Sequence, residues 1–419
     1  MSKTNEFLKK YGMDAERIDP EDIAVRMLRD MQNGLSGRKA DMQMIPTYLK
    51  NDGRVPMNRP AVVIDAGGTN FRCGLVTFTE NGFKTESVTK CGMPGADHPV
   101  TWEEFISFIA DKIMPFMDRA DYIGFCFSYM AEITPEIDGR VIAIDKEVTV
   151  TDSAGKMLGE ALVEELARRG APGKKAIIVN DTAAVLLGGT AALDKTQYDG
   201  FIGQVSGTGT NTCTVVRMRD IPKLCGDEGS IIVNLESGMY ADIPVGVMDT
   251  VLDENSNNPG SKRFEKLTAG VYLGELARLL IEQAHKDGVI CSETAENVAA
   301  LGKFDAATVD AWINEKKTDC AANAEDAQFL TDISRSLFAR SARCMSANLL
   351  GIMLLNDSGR EKPCCICAEG SLVQKSTFYR TKLLQFMDEN CQKAGRKYSF
   401  FLGDESTLPG SAAAVLLNK

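Results

Sequence analysis

At 419 residues the chain is about two to three times a typical single domain, so two lobes are expected. Apolar residues make up 44% and charged residues 25%, an ordinary globular composition that excludes a disordered or fibrous chain. The net charge is −11 with Lys and Arg scattered, which argues against nucleic acid as a main partner, because duplex binding rests on cations neutralising phosphates. A phosphorylated small molecule needs only local donors and stays open. The first twenty residues carry charges throughout and no apolar core, against a secretory leader. No run approaches the roughly 18 apolar residues that span a bilayer. A cytoplasmic protein with no membrane partner is therefore expected. Cys73, Cys126, Cys213 and Cys367 sit in apolar stretches and read as reduced thiols. Cys364, Cys365 and Cys367 read as buried strand rather than a metal site, since no second pair stands at zinc-finger distance.

Residues 5–50 read as an amphipathic helix, a loop and a short helix ending in MIPTYL. AVVIDAGGTNFRCGLVTF (61–78) alternates apolar residues around a Gly-rich turn, the pattern of a tight hairpin. Residues 101–118 read as helix, DYIGFCFSY (121–129) as a buried strand, and 155–170 as an amphipathic helix with Gly170 at its C-terminal cap. KAIIVNDTAAVLLGGTAA (175–192) runs from strand straight into helix, and FIGQVSGTGTNTCTVVRM (201–218) repeats the strand, Gly-rich turn and strand. Beyond about residue 264 the pattern is mostly helical up to the strand PCCICAEG (363–370), then YSFFLG (398–403) and a terminal helix GSAAAVLLNK. Two hairpin-plus-helix modules in series suggest two α/β lobes facing one another, with a ligand in the cleft between them.

Each module opens with a turn of matched chemistry, Asp65-Ala66-Gly67-Gly68-Thr69-Asn70 and Gly207-Thr208-Gly209-Thr210-Asn211. Glycines let backbone N–H groups approach an anion, and the Thr and Asn side chains add donors. One such turn is most simply a hairpin; two in opposite lobes favour a bridged polyphosphate. Asp65, a carboxylate at a strand end, could hold Mg²⁺ through water, and Arg72 could supply positive charge to a transferring phosphoryl group. Asp181 follows an apolar strand and opens a helix. It is either a helix cap or the proton acceptor that phosphoryl transfer to an alcohol requires. The only histidines, His98 and His285, lie in polar or charged surroundings, so elimination favours a carboxylate base. Ser128, Lys146, Glu236 and Glu265 also interrupt apolar contexts, as a polyhydroxylated ligand would require.

In order, MIPTYL (44–49), DAGGTNFR (65–72), GFCFSY (124–129), VNDTAA (179–184), SGTGTN (206–211), VNLESG (233–238), NPGSKRFEKLTAGVYLGELARL (258–279), AEGSL (368–372) and GSAAA (410–414) closely resemble the eukaryotic-type hexokinases and glucokinases. The resemblance covers nearly the whole chain. It implies an α/β, two-lobed actin-like ATPase (ribonuclease H-like) fold with a central interdomain cleft. The lobes it implies are 61–180 with 411–419 for the small one and 181–410 for the large one, with 1–60 an N-terminal helical segment of the large lobe. It further implies an ATP- and Mg²⁺-dependent hexokinase acting on the 6-hydroxyl of a hexose, glucose first, as a monomer or homodimer. A non-catalytic sugar sensor of the same fold, or a kinase for another hexose, is the alternative.

By that resemblance Asp181 is the base and Arg72 joins it in catalysis. Ser128, Lys146, Asn180, Asn211, Glu236 and Glu265 bind the sugar. Asp65, Gly67, Gly68, Thr69, Asn70, Gly207 and Thr208 take the phosphates, and Gly370 and Ser371 the adenosine. The chain departs from the family where Met130 follows FSY in place of Pro, where Asp145 precedes Lys146 in place of Thr, and where Glu405 replaces a Gly. Bacterial sugar kinases and repressors of the ROK type share a GGT turn but carry a Cys-rich zinc motif with a His, and no such cluster occurs here.

Overall fold

The period-2 run around DAGGTN forms the expected hairpin: Pro60–Gly67 pairs antiparallel with Asn70–Thr79, with Gly67 opposite Asn70. Gly68, at φ +56°, takes the left-handed conformation that such a turn needs. The computed structural model describes residues 3–68, 70–144, 148–226, 228–302, 304–314 and 317–419. Thr69, Asp145 and Lys146, singled out above, lie outside the described residues. The chain divides into two units, Met1–Met44 with Tyr198–Thr212 and Leu235–Leu402, and Ile45–Gln197 with Cys213–Asn234 and Gly403–Lys419.

In the second unit a five-stranded sheet runs in the order Lys175–Val179, Tyr122–Phe127, Pro60–Gly67, Asn70–Thr79, Gly82–Gly92. The first three strands are parallel and the rest form an antiparallel meander. Alternation sends Val62, Ile64, Phe71, Cys73, Phe125 and Phe127 into a core with Phe105, Ile109, Leu162 and Leu166 of the helices Trp102–Ile113 and Leu158–Arg168. A Thr101–Glu104 capping box starts the first of these helices, and Gly170, at φ +93°, ends the second as expected.

The opposite face is covered by Asp181–Thr190 and the terminal helix Thr407–Asn418. Their approach explains the small residues of GSAAA. A Cβ on Gly410 would stand 1.9 Å from the Ala184 carbonyl oxygen, and one on Gly124 would stand 2.0 Å from that of Ser411. A second set of strands, Ile45–Pro46, Ser230–Asn234 and the later part of Thr210–Arg217, pairs antiparallel.

The first unit carries the parallel strands Gly200–Ser206, Cys364–Glu369 and Tyr398–Leu402. Its 32-residue helix Ala324–Leu355 packs on Pro20–Leu35 and Thr377–Ala394. Pro20–Leu35, with 16 residues, is longer than the short helix expected there; Asp19 caps it and Pro20 fits its first turn. Arg340 and Asp249, each 2% exposed, form a two-pronged ion pair at 2.7 and 2.6 Å between helices. Removing one partner would leave a buried charge. Among the described residues no helix is long and apolar enough to cross a membrane.

Candidate active site

Strand register builds the first cluster, in the second unit. Asp65 is the cross-strand partner of Arg72 on one side and of Cys126 on the other, so all three point to the face covered by the terminal helix. Arg72 Nη2 lies 2.5 Å and Nε 3.1 Å from Asp65 Oδ2. The Thr407 hydroxyl, 3.1 Å away, bonds the same oxygen. Arg72 Nη1 also reaches Glu405 Oε1 at 3.2 Å. Gly67 and Ser128 meet at the end of this row: a Cβ on Gly67 would stand 3.1 Å from Ser128 Oγ. The Tyr129 hydroxyl donates to the Gly68 carbonyl and braces the turn. Asn70 is exposed at its far side.

Asp181 opens its helix immediately after the strand Lys175–Val179, and Asn180 is the cap, its Oδ1 accepting the Thr182 N–H at 3.0 Å. The capping role thus falls to Asn180, not Asp181. Asp181 Oδ1 accepts the same N–H at 2.7 Å and the Thr182 hydroxyl at 3.1 Å. Burial is the main reason that the Asp181 carboxyl is pushed above its usual range; the Thr182 bonds oppose the shift and the Asp65 charge adds to it. The residue as a whole is half-buried. The Cys126 thiol is fully buried beside both carboxylates, and burial first, then Asp65 and Asp181, push its pKa well up. Cys126, Thr182 and Thr407 were not anticipated as members of this cluster. For Cys126 the only sequence signal is its place one residue before FSY's Phe-Ser, in step with Asp65.

The second cluster lies in the first unit. Gly207 is held by its carbonyl, which accepts the Gly270 N–H at 2.8 Å, and by its own N–H, which donates to the Gly209 carbonyl at 3.0 Å. Gly370 sits at φ +118°, and a Cβ there would stand 2.5 Å from the Ser206 carbonyl oxygen; a Cβ on Gly207 would stand 3.1 Å from the Ser371 nitrogen. The SGTG turn and the AEGSL segment are therefore in direct contact, with room only for glycine at 370 and a tight fit at 207. Thr208 and Ser371 are exposed beside this contact.

One residue further along, Asn211 Oδ1 accepts the N–H groups of Thr212 (2.8 Å) and Ser237 (3.3 Å), while its amide donates to Glu236 Oε1 at 3.4 Å. Glu265 Oε2 accepts the Thr210 N–H at 3.3 Å and Oε1 accepts from Lys262 Nζ at 3.2 Å. The NPGSKRFEK block is fixed from below by Lys266, 1% exposed, whose ammonium bonds Asp253 at 2.5 Å and the Asn258 carbonyl at 2.8 Å. Asn211, Glu236 and Glu265 therefore come together. Chemically, one cluster offers a carboxyl with raised proton affinity beside a guanidinium–carboxylate pair. The other offers a glycine cradle and a set of carboxylate and amide groups suited to hydroxyls.

Residues 201–417 and 3–191 match two family profiles, both described as hexokinase. A Nicotiana tabacum protein named Hexokinase-1 is 26% identical over 93% of this chain and 85% of its own length. Hexokinase-2 of Rattus norvegicus is 24% identical over 91% of this chain, which spans only 45% of that protein. The solved structure of a hexokinase from Schistosoma mansoni complexed with glucose superposes with a TM-score of 0.75 at 20% identity, covering 99% of this chain and all of that one. With a profile matching more than half of the chain and the fold shared end to end, this chain belongs to the hexokinase family of sugar phosphotransferases, with their two-lobed actin-like ATPase fold.

Proposed function

We propose that this protein transfers the γ-phosphoryl group of ATP to the 6-hydroxyl of a hexose, glucose first, with Asp181 as the general base. The observation that carries this reading is the Asp181 carboxyl itself, at the first residue of its helix behind the Asn180 cap and raised in proton affinity by burial. Such a group accepts a hydroxyl proton as the oxygen attacks phosphorus. Ser128 and Asn180, with Asn211, Glu236 and Glu265, orient the sugar hydroxyls; Lys146 joins them by resemblance alone. Lodging acceptors and donors on strand ends and helix starts keeps the hydroxyl in line with the phosphoryl group.

The residues present fit the donor as well. Gly67, Gly68, Asn70, Gly207 and Thr208, with Thr69 by resemblance alone, would hold phosphates through the N–H groups and side-chain donors of the two turns; a Cβ on Gly67 or Gly207 would stand 3.1 Å from its nearest neighbour. Gly370 and Ser371 would hold the adenosine. Asp65 would hold Mg²⁺ through water, and the ion when bound would offset phosphate charge. Arg72, already paired with Asp65, steadies charge on the transferring group.

The test is ADP release with Mg²⁺-ATP against glucose, mannose, fructose and N-acetylglucosamine, with a no-sugar control. Glucose-dependent turnover supports the reading. Folded protein that binds glucose without turnover with any hexose would overturn it in favour of a sensor.

A further inference from the structure

Glu265 is one of the proposed sugar ligands, and its carboxylate is not alone. Lys262 Nζ lies 3.2 Å from Oε1, with both side chains largely withdrawn from solvent, 33% and 17% exposed. Backbone also closes in on the carboxylate. Oε2 accepts the Thr210 N–H, and Cβ atoms on Gly209 and Gly238 would stand 3.0 Å from Oε2 and 3.2 Å from the Glu265 Cβ. Tyr272, its phenol raised by burial and then by Glu265, lies within electrostatic reach of the same pair. Lys262 holds this position at φ +54°, a left-handed conformation that side chains other than Gly and Asn rarely adopt. Backbone strain of this kind persists where the surroundings fix it, and it clusters at functional sites.

We infer that Lys262 is a specificity-determining residue: by neutralising Glu265 it makes this carboxylate read neutral sugar hydroxyls and reject amino hexoses. This rests on the reading of Glu265 as a sugar ligand. An unpaired carboxylate binds an ammonium more strongly than a hydroxyl, because the hydrogen bond is charge-assisted. With Lys262 in place, a sugar ammonium bonded to Glu265 would sit within roughly 5–8 Å of a second ammonium. Repulsion at that range in a partly buried site is worth on the order of tenfold in kcat/KM. A sugar hydroxyl at the same place feels almost none of it. The device works by exclusion, setting a like charge against the wrong substrate.

The experiment compares the full chain with Lys262→Asn and Lys262→Arg. Asparagine tolerates the left-handed backbone, and arginine keeps the charge. For each, kcat/KM is measured with glucose, with its 2-, 3- and 4-amino analogues, and with the matching deoxy sugars. Lys262→Asn is expected to raise the amino-to-deoxy ratio about tenfold at the ring position that lies against Glu265, while Lys262→Arg keeps the parental ratio. A purely structural role would move amino and deoxy sugars together. Glucose turnover with no gain for any amino analogue in Lys262→Asn overturns this inference and leaves the hexokinase reading standing. Absence of turnover with every hexose in the parent chain overturns both.

Discussion

Replacing Asp181 with asparagine should move activity and stability in opposite directions. The substitution keeps the shape and the oxygen that accepts the Thr182 N–H at 2.7 Å and the Thr182 hydroxyl at 3.1 Å, but removes the charge and the proton-accepting capacity. As the proposed base, its loss should lower turnover by about 10²–10⁴, or about 3–5 kcal/mol in the barrier. Stability follows from the raised pKa. Burial, aided by the Asp65 charge, makes the folded chain hold the Asp181 proton more tightly than the unfolded chain does. That contribution is fully present below the unfolded carboxyl pKa and is lost as pH rises through the folded value. At neutral pH the ionised carboxylate therefore costs stability that asparagine does not. Asp181→Asn should melt above the parent at neutral pH, with the gap closing in acid. Each kilocalorie gained corresponds to a rise of about 2–4 °C in a unit of this size. The assay is coupled ADP release with glucose, alongside thermal melts from about pH 4 to about pH 8. Retained turnover would remove Asp181 from the mechanism. A variant melting below the parent at neutral pH would refute the electrostatic reasoning, because it would mean that the ionised form is favoured by folding.

Glu405 competes for Arg72 with any donor phosphate, so Glu405→Gln should lower the KM for ATP. The pair is exposed and worth about 0.2–1 kcal/mol, so the change should not exceed about fivefold; an unchanged or higher KM in steady-state kinetics would contradict the competition. Gly370→Ala should raise the KM for ATP and lower the melting temperature, since its Cβ would push on the Ser206 carbonyl, whereas Gly82→Ala, at φ +109° with open space around it, reports backbone strain alone. Equal losses in the two variants would show that the contact with the SGTG turn does not matter. A thiol reagent on the native protein should modify Cys225 and Cys291, the exposed cysteines, while Cys126 reacts only on unfolding; early modification of Cys126 by peptide mapping would show that its pocket opens.

Much of this was legible in the chain because the signals are local. The alternation in AVVIDAGGTNFRCGLVTF and the strand-to-helix junction at Asn180-Asp181 both appear where they were expected. What was not legible depends on register and on single-residue offsets. Cys126 looked like one more thiol in an apolar strand; only its pairing opposite Asp65 puts it between two carboxylates. Whether Asn180 or Asp181 caps the helix turns on where the preceding strand releases the backbone, a difference of one residue that no propensity resolves. The terminal helix begins at Thr407, three residues before the GSAAA run, because Pro409 is compatible with a first turn. Glu405 stood out only as a replacement for a Gly and Lys262 did not stand out at all, since nothing in a side chain announces a left-handed backbone.

Those two residues and Glu236 share one physical situation. Their φ values are +54°, +52° and +57°, and each is charged rather than glycine. Left-handed backbone costs on the order of 1–2 kcal/mol for such residues, so something must hold it. In each case the side chain meets a proposed ligand residue: Glu236 accepts from Asn211, Lys262 donates to Glu265, and Glu405 accepts from Arg72. Glycine would relax the backbone at all three positions and abolish all three contacts. At 405, where the resemblance to the family implies glycine, this chain has Glu405 at φ +52°, and its side chain pairs with the Arg72 guanidinium beside the proposed phosphate turn. Left-handed backbone also occurs at residues such as Asn58, Ser87, Asp152 and Asp357, so it is the contact with a proposed ligand residue, together with the backbone, that singles out these three positions for a test of sugar and donor preference.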